Sequence, residues 1–153
     1  MKVGDLSSSE TSQVFVSSME LLYTMLKFVK ERAIAAEFNN TIISKIELAL
    51  EEALVNIITH GYPDNPNGTI EIICSKPLQK NGIQIVLIDY GIPFNPLEAI
   101  KNFKPGNIEI QDDKEETQVG GYGIYFIVNM MDSIDYKRID EKNILTMIKY
   151  WVQ

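Results

Sequence analysis

The segment over residues 41–60 constrains the fold most, because its apolar residues occur nearly all the way round a helix. A helix with that pattern is predicted to lie in the centre of a domain, with little of its surface in water. Asn39 or Asn40 is predicted to cap its start, since asparagine is a favoured N-cap residue. Only Glu47 and Glu51 indicate a narrow solvent edge.

Two polar residues, Glu52 and Asn56, lie four positions apart in this otherwise apolar helix and therefore share one face. Burying a carboxylate and a carboxamide is costly unless something satisfies them. Taken alone, the pair most often bridges neighbouring backbone groups, and the alternative is a metal ion with a phosphate ligand. His60, the single histidine, follows one turn later, and a favourable interaction with the helix dipole is its preferred interpretation over a place beside a phosphate.

Composition limits the classes of protein to which this chain can belong. A chain of 153 residues, 45% hydrophobic and 23% charged, is predicted to form one domain over residues 1–153. The net charge of -7 argues against a nucleic-acid partner. Cys74 is the only cysteine, which excludes an internal disulfide and, with His60, a Cys/His zinc cluster. No membrane span or signal peptide is recognised, so we expect a cytoplasmic protein.

The remaining periodicities predict an α+β domain with one antiparallel or mixed sheet and helices packed on one face. Residues 1–11 are expected to be loose, and residues 101–119 lack a hydrophobic period, which is typical of a functional lid or of disorder. The predicted strands are 13–16, 69–75, 83–89, 134–138 and 144–151, and the last two are joined by a turn at 140–143. Helices are predicted over about 19–36, 41–60 and 120–131, with a further short one that begins at 96.

Two further motifs could carry chemistry. Asp89 and Gly91 follow an apolar strand. One interpretation is a strand end that runs into a turn. In the other, the Asp89 carboxylate accepts a hydrogen bond from an adenine amino group, and Gly91 lets the flat base approach the backbone. Residues 120–123, Gly-Gly-Tyr-Gly, open a helix; they are either a flexible linker or a phosphate site, because bare amides at a helix N-terminus bind anions.

The order of these motifs resembles the GHKL ATPase superfamily, which has the Bergerat nucleotide-binding fold, over residues from about 17 to 151. The matching segments are Glu-Ala-Leu-Val-Asn at 52–56 with His-Gly-Tyr at 60–62, Asp-Tyr-Gly-Ile-Pro-Phe at 89–94 and Gly-Gly-Tyr-Gly-Ile at 120–124. Within the superfamily they look most like the anti-sigma-factor serine/threonine kinases. Sensor histidine kinases usually have asparagine where this chain has Glu52. The resemblance implies a two-layer α/β sandwich, with a mixed, mostly antiparallel sheet and about three helices on one face.

The resemblance also implies roles for individual residues around ATP and Mg²⁺. Glu52 would be the general base for a substrate serine, Asn56 the Mg²⁺ ligand, and residues 101–119 the ATP lid. Several kinases of the group carry an arginine before the glycine-rich turn. Here residues 117–119, Thr-Gln-Val, stand in that position, which leaves Lys101, Lys104 or Lys114 as candidate phosphate contacts. The other implied nucleotide-binding residues are Asp89 and Gly91 at the adenine, Gly121, Tyr122 and Gly123 at the phosphates, and Thr146 lining the adenine pocket.

The partners implied by the resemblance are an anti-anti-sigma protein of the STAS class as substrate, a sigma factor, and a second copy of the chain bound through its N-terminal part. Two alternatives stay open. One is a nucleotide-gated module that sequesters a partner without phosphorylating it, and the other is a detached histidine-kinase catalytic domain.

Overall fold

We describe the protein from a computed structural model, which covers residues 10–99, 123–125 and 127–151. A single 3-10 turn, Met19–Leu21, leads into the first helix. No helix within the described ranges is both long and apolar enough to cross a membrane. The elements, in chain order, are β1 (Thr11–Val16), α1 (Leu22–Ala35), α2 (Asn40–His60), β2 (Thr69–Ser75), β3 (Gly82–Asp89), α3 (Pro96–Ala99), α4 (residues 123–125 and 127–130), β4 (Ser133–Ile139) and β5 (Lys142–Tyr150).

The five strands form one sheet in the order β1-β2-β3-β5-β4, and every strand pairing in the described residues is antiparallel. Successive side chains of a strand point to opposite faces, and alternate residues of β2, β3 and β5 are buried on one face. The helices pack against that face. The predicted α+β architecture is confirmed, and of the two sheet types left open the antiparallel one is observed.

The core lies between this face of the sheet and α2. Leu50 and Leu54 of α2 are fully buried together with Ile72 and Leu87 of the sheet. Fully burying side chains of this size contributes roughly 1.5–3 kcal/mol each, so the packing of the helices on the sheet is a major source of stability.

The prediction that α2 would be buried nearly all round is wrong. Its buried residues follow the three- and four-residue spacing of a single face, while Ser44, Lys45, Leu48 and Glu51 are exposed. Leu48 is 37% exposed. The physical reason is that a two-layer fold covers a helix on one side only.

The hairpin between β4 and β5 is tighter than the sequence indicates. Asp140 and Glu141 both have positive φ, 52° and 66°, the backbone of a two-residue type I′ turn. β4 therefore ends at Ile139 and β5 begins at Lys142. The predicted four-residue turn over 140–143 is wrong at its end, and Asn143 belongs to β5.

The start of α2 yields a prediction about stability. The Asn39 side chain accepts a hydrogen bond of 2.9 Å from the Ile42 amide, so Asn39 is the N-cap and Asn40 is the first helical residue. We expect Asn39→Ala to lower the free energy of unfolding by about 1 kcal/mol, because it leaves that amide without its acceptor. Asn40→Ala is the matched control and should change it little. Urea denaturation measures both, and equal effects would contradict the assignment of the cap.

Candidate functional site

A cavity opens between the second half of α2, the segment after β3, and the strands β4 and β5. It encloses about 460 Å³, including space open to solvent. Its walls are largely apolar, with a few polar groups at fixed positions, which is typical of a small-molecule site. The lining residues are Ala53, Asn56, Ile57, His60, Gly61, Asp89, Ile92, Phe94, Pro96, Ile127, Tyr136, Asn143 and Leu145.

Asp89 is the most deeply buried charged group in this cavity, with 4% of its surface exposed. As the last residue of β3, it lies on the helix-facing side of the sheet. Its Oδ1 accepts hydrogen bonds of 2.9 Å from the Gly91 amide and 2.9 Å from Asn143 Nδ2. Burial raises the pKa of Asp89, while these two hydrogen bonds and the charge of Arg138 oppose the increase. Both hydrogen bonds found among the described residues reach Oδ1, so Oδ2 is available to a donor in the cavity.

Asn143 connects Asp89 to the neighbouring strand and loop. Its Nδ2 also donates to the Ile92 carbonyl at 2.9 Å, and its Oδ1 accepts a hydrogen bond from the Tyr136 hydroxyl. Asn143, Tyr136 and Arg138 were not predicted as site residues. Asn143 could have been predicted only from the register of β5 against β3, which pairs it with Asp89.

Gly91 is required for a different reason from the one predicted. A methyl group at Gly91 would overlap the backbone carbonyl of Gly61, at the end of α2. The Ile92 amide donates to that carbonyl at 3.0 Å, so the loop and the helix end are in direct backbone contact. The missing side chain of Gly91 therefore faces Gly61, whereas the sequence suggested a surface beneath a flat base.

Tyr62 holds the same loop through its hydroxyl group. It was not predicted as a site residue. Its hydroxyl donates to the Thr69 carbonyl at 2.7 Å and accepts from the Tyr90 amide at 2.6 Å. Burial raises the pKa of Tyr62, so its hydroxyl keeps the proton that it donates. One residue thus connects the start of β2 to the residue that follows Asp89.

Asn56 lines the cavity from α2 and is half-buried. Glu52, half-buried one turn earlier on α2, is not among the lining residues and lies against Gly123, the first described residue of α4. A methyl group at Gly123 would overlap Glu52 Oε1. Burial raises the pKa of Glu52, and the neighbouring charge of Glu51 raises it further. The structure therefore brings together Glu52 and Gly123, which are far apart in the sequence.

The remaining sequence predictions concern Thr146, His60 and the segment before α4. Thr146 pairs with Val86 on the opposite face of the sheet from Asp89, because side chains alternate along β5, so the structure does not bring Thr146 to the cavity. His60 is exposed at the end of α2 and lines the edge of the cavity. Gly121, Tyr122 and the predicted lid over residues 101–119 lie outside the described residues.

The donor set at Asn56 fits Mg²⁺ bound together with a phosphate ligand. Among the described residues, no group of three or more His, Cys, Asp or Glu could hold a metal ion alone. Mg²⁺ needs no such cluster, since it keeps several waters and is usually bound through one or two side chains and substrate phosphates. The half-buried amide of Asn56, on the cavity wall, can supply one such oxygen.

Comparisons with known proteins agree with this geometry. Residues 15–149 match the sequence profile of the family described as the histidine kinase-like ATPase domain. The chain is 29% identical over 115 residues to a serine-protein kinase RsbW from Oceanobacillus iheyensis, covering 75% of this chain and 69% of that protein. It is 25% identical over 121 residues to an anti-sigma F factor from Anoxybacillus flavithermus, covering 77% of each.

The fold also matches a solved structure. The crystal structure of the RsbU and RsbW domains of Rv1364c from Mycobacterium tuberculosis matches with a TM-score of 0.63 at 12% identity. The match covers 94% of this chain and 32% of that chain. At this identity the likeness shows the fold alone.

The buried carboxyl of Asp89 gives a prediction about pH and stability. Its pKa is raised from an ordinary value of 3.8, so the native state holds the proton more tightly than the unfolded chain does. The resulting stabilisation is fully present below the unfolded pKa and is lost as pH rises through the raised native pKa. Asp89→Asn should remove it. We therefore expect the difference in free energy of unfolding between wild type and variant to depend on pH in this window.

Urea denaturation over the acidic range measures that difference. The matched control is Asp64→Asn, at an exposed position after α2, which should show no comparable dependence on pH. A constant difference between wild type and Asp89→Asn would contradict the raised pKa.

Proposed function

The chain belongs to the histidine kinase-like ATPase family, and from this membership we propose that it is an ATP-dependent serine/threonine protein kinase of the anti-sigma-factor type. The observation that carries the proposal is the position of two carboxylates relative to one cavity. Asp89 is fixed inside it, and Glu52 lies beside it on α2, one turn before the lining residue Asn56 and against Gly123.

The apolar end fits an adenine base. Ile92, Phe94 and Leu145 supply apolar walls. Asp89 would accept a hydrogen bond from the 6-amino group through Oδ2, the oxygen that its own network leaves available. A carboxylate in such a buried place is a strong acceptor, because the low local dielectric strengthens the hydrogen bond.

The other end fits the phosphates. Asn56 would hold Mg²⁺, which would supply charge neutralisation at the phosphates. Gly123 lies in the described part of α4, which the glycine-rich motif is predicted to open, and amides at a helix N-terminus favour an anion. We assign Gly121 and Tyr122 to the same phosphate-binding turn on the basis of the sequence motif.

Glu52 is the proposed general base, which takes the proton from the hydroxyl of a substrate serine. Phosphoryl transfer requires mainly positioning and charge neutralisation, so one carboxylate beside the phosphates is sufficient. The raised pKa of Glu52 supports the role, since a base is most effective when its pKa approaches the working pH.

We propose partners from the names of the relatives. One relative is named a serine-protein kinase and another an anti-sigma F factor. The proposed substrate is accordingly an anti-anti-sigma protein of the STAS class, and the proposed second partner is a sigma factor. A regulator of transcription of this kind would act in the cytoplasm.

We also propose a homodimer that forms through the N-terminal apolar surface, defined here as Val14, Val16, Met19 and Tyr23. All four are exposed; Val14 has 59% and Tyr23 75% of its surface in solvent. β1 is an edge strand without a charged residue, and such an edge is prone to pair with another chain. A second copy is the favoured occupant, because antiparallel pairing of β1 with itself satisfies two-fold symmetry.

The role of Glu52 can be tested with a matched pair of variants. Glu52→Ala should lower phosphate transfer from ATP by about 10²- to 10⁴-fold, the usual contribution of a general base. Binding of ATP should stay close to wild type, because Glu52 does not line the adenine end. Glu47→Ala, at a half-buried position of the same helix whose carboxylate faces Lys30, should retain transfer. The assay uses labelled ATP, Mg²⁺ and candidate partner proteins, with calorimetry for nucleotide binding.

The nature of the label separates the proposed function from its alternatives. Acid-stable label on a partner serine supports the kinase, and full transfer by Glu52→Ala would remove Glu52 from the base role. Acid-labile label on a histidine supports a histidine-kinase domain. Tight partner binding without any label supports a nucleotide-gated module. Absence of adenine-nucleotide binding would overturn all three.

The proposed dimer gives a further prediction. Val14→Lys should shift the protein from dimer to monomer, because it inserts a charge into the N-terminal apolar surface. Leu78→Lys is the control, since Leu78 is fully exposed in the connection between β2 and β3. Sedimentation velocity measures both. A wild-type protein that stays monomeric at high concentration would contradict the dimer.

A further inference from the structure

Asn143 makes hydrogen bonds through both polar atoms of its side chain. Its Nδ2 donates to Asp89 Oδ1 and to the Ile92 carbonyl, each at 2.9 Å, and lies 3.5 Å from the Gly91 carbonyl. Its Oδ1 accepts from the hydroxyl of Tyr136. Asn143 is 5% exposed. An amide in such a place contributes two donors and an acceptor, and each has a partner here.

This arrangement permits only one orientation of the amide. Rotation by a half turn would bring Asn143 Oδ1 against the oxygens of Asp89 and Ile92, which can only accept. Two hydrogen bonds would become repulsive contacts, in a buried site where an unmade hydrogen bond is costly. Asp89 and Ile92 therefore determine which way the amide points, and the Tyr136 hydroxyl holds it there by donating to its Oδ1.

A fixed Asn143 in turn fixes Asp89. With Oδ1 held by Asn143 and by the Gly91 amide, the carboxylate cannot swing without breaking both hydrogen bonds. Its second oxygen thus presents an acceptor at one position in the cavity.

The chemistry of purines gives this rigidity a consequence. A 6-aminopurine offers a donor at position 6, whereas a 6-oxopurine offers an acceptor there and a donor at N1. A carboxylate oxygen held opposite position 6 attracts the first and repels the second. A mobile carboxylate could move to meet N1–H, and the discrimination would be lost.

We propose that Asn143, held through its Oδ1 by Tyr136, is the positioning residue that keeps Asp89 in place and so sets a preference for 6-aminopurine over 6-oxopurine nucleotides. The inference rests on the proposed function, in that it concerns the same nucleotide site. The hairpin supports it: the two-residue turn at Asp140 and Glu141 pairs Arg138 with Asn143, and this places Tyr136 two residues along on the same face of the sheet.

The test compares the affinities for ATP and ITP, which differ only at position 6 and N1 of the base. Calorimetry in the presence of Mg²⁺ is applied to wild type, Asn143→Asp and Tyr136→Phe. Asn81→Asp and Tyr150→Phe are the matched controls, because neither residue lines the cavity. Thermal unfolding of every variant verifies the fold.

We expect wild type and both controls to prefer ATP by about tenfold or more, which is the effect of one well-placed charged hydrogen bond in a buried site. Tyr136→Phe should lower the ATP/ITP ratio by about 2- to 10-fold, because it removes one neutral hydrogen bond and leaves the volume nearly unchanged. Asn143→Asp should abolish the preference at neutral pH, since it sets two carboxylates against each other.

A pH series gives a second readout that a merely structural role would not produce. In Asn143→Asp, lowering the pH lets the two carboxyls share one proton, which restores a donor to Asp89 Oδ1. ATP affinity relative to ITP should then increase as pH falls, whereas in wild type it should not. The charged and titratable groups near Asp89 are Arg138 and Tyr136 of β4, Tyr62, and His60 at the end of α2, and all are present in both proteins.

The outcomes separate the inference from the function on which it rests. If wild type prefers ATP and both site variants keep its ATP/ITP ratio, the positioning role is overturned while the ATP site stands. If wild type binds both nucleotides equally, there is no preference to set, and the inference is overturned. If wild type binds neither nucleotide, the inference and the proposed function are overturned together.

Discussion

The burial of one carboxylate, Asp89, determines how one end of the molecule is built. Removing a carboxylate from water is costly unless hydrogen bonds and opposite charge compensate. Here the compensation comes from the next turn of the chain through the Gly91 amide, and from the far hairpin through Asn143 and Arg138. The end of β3, the loop that follows it and the β4–β5 hairpin therefore meet at this one carboxylate.

Much of the fold follows from patterns that are local in sequence. The alternation of β2 and β3 and the apolar face of α2 follow directly from the residues, and Asp89 is recognisable as a polar residue that ends an apolar strand. The burial of α2 was overestimated, because an apolar pattern does not reveal how many layers will cover a helix. Leu48 is accordingly exposed on its outer side.

The part of the site that sequence reasoning missed depends on register. Whether the turn contains four residues or two decides where β5 begins. Alternate side chains of a strand point to opposite faces, so the register of a strand decides which of them face the helices. The Asp140-Glu141 turn lacks the glycine that usually marks a type I′ hairpin, so its length was not apparent. For this reason Asn143 was assigned to a turn. Thr146 was placed in the pocket by the resemblance to the family, and the register shows it on the opposite face. The approach of Gly123 to Glu52 likewise depends on tertiary packing that no local pattern contains.

The direct backbone contact between Gly91 and Gly61 has a consequence for the length of the site. Gly61 ends the helix that carries Glu52 and Asn56, and Gly91 follows Asp89, so this contact joins the two ends of the cavity without any intervening side chain. The span between Asp89 and the α2 residues Glu52 and Asn56 is thus set by main-chain geometry. Side chains on the walls can be exchanged, and the chemistry of the cavity altered, while this distance stays constant.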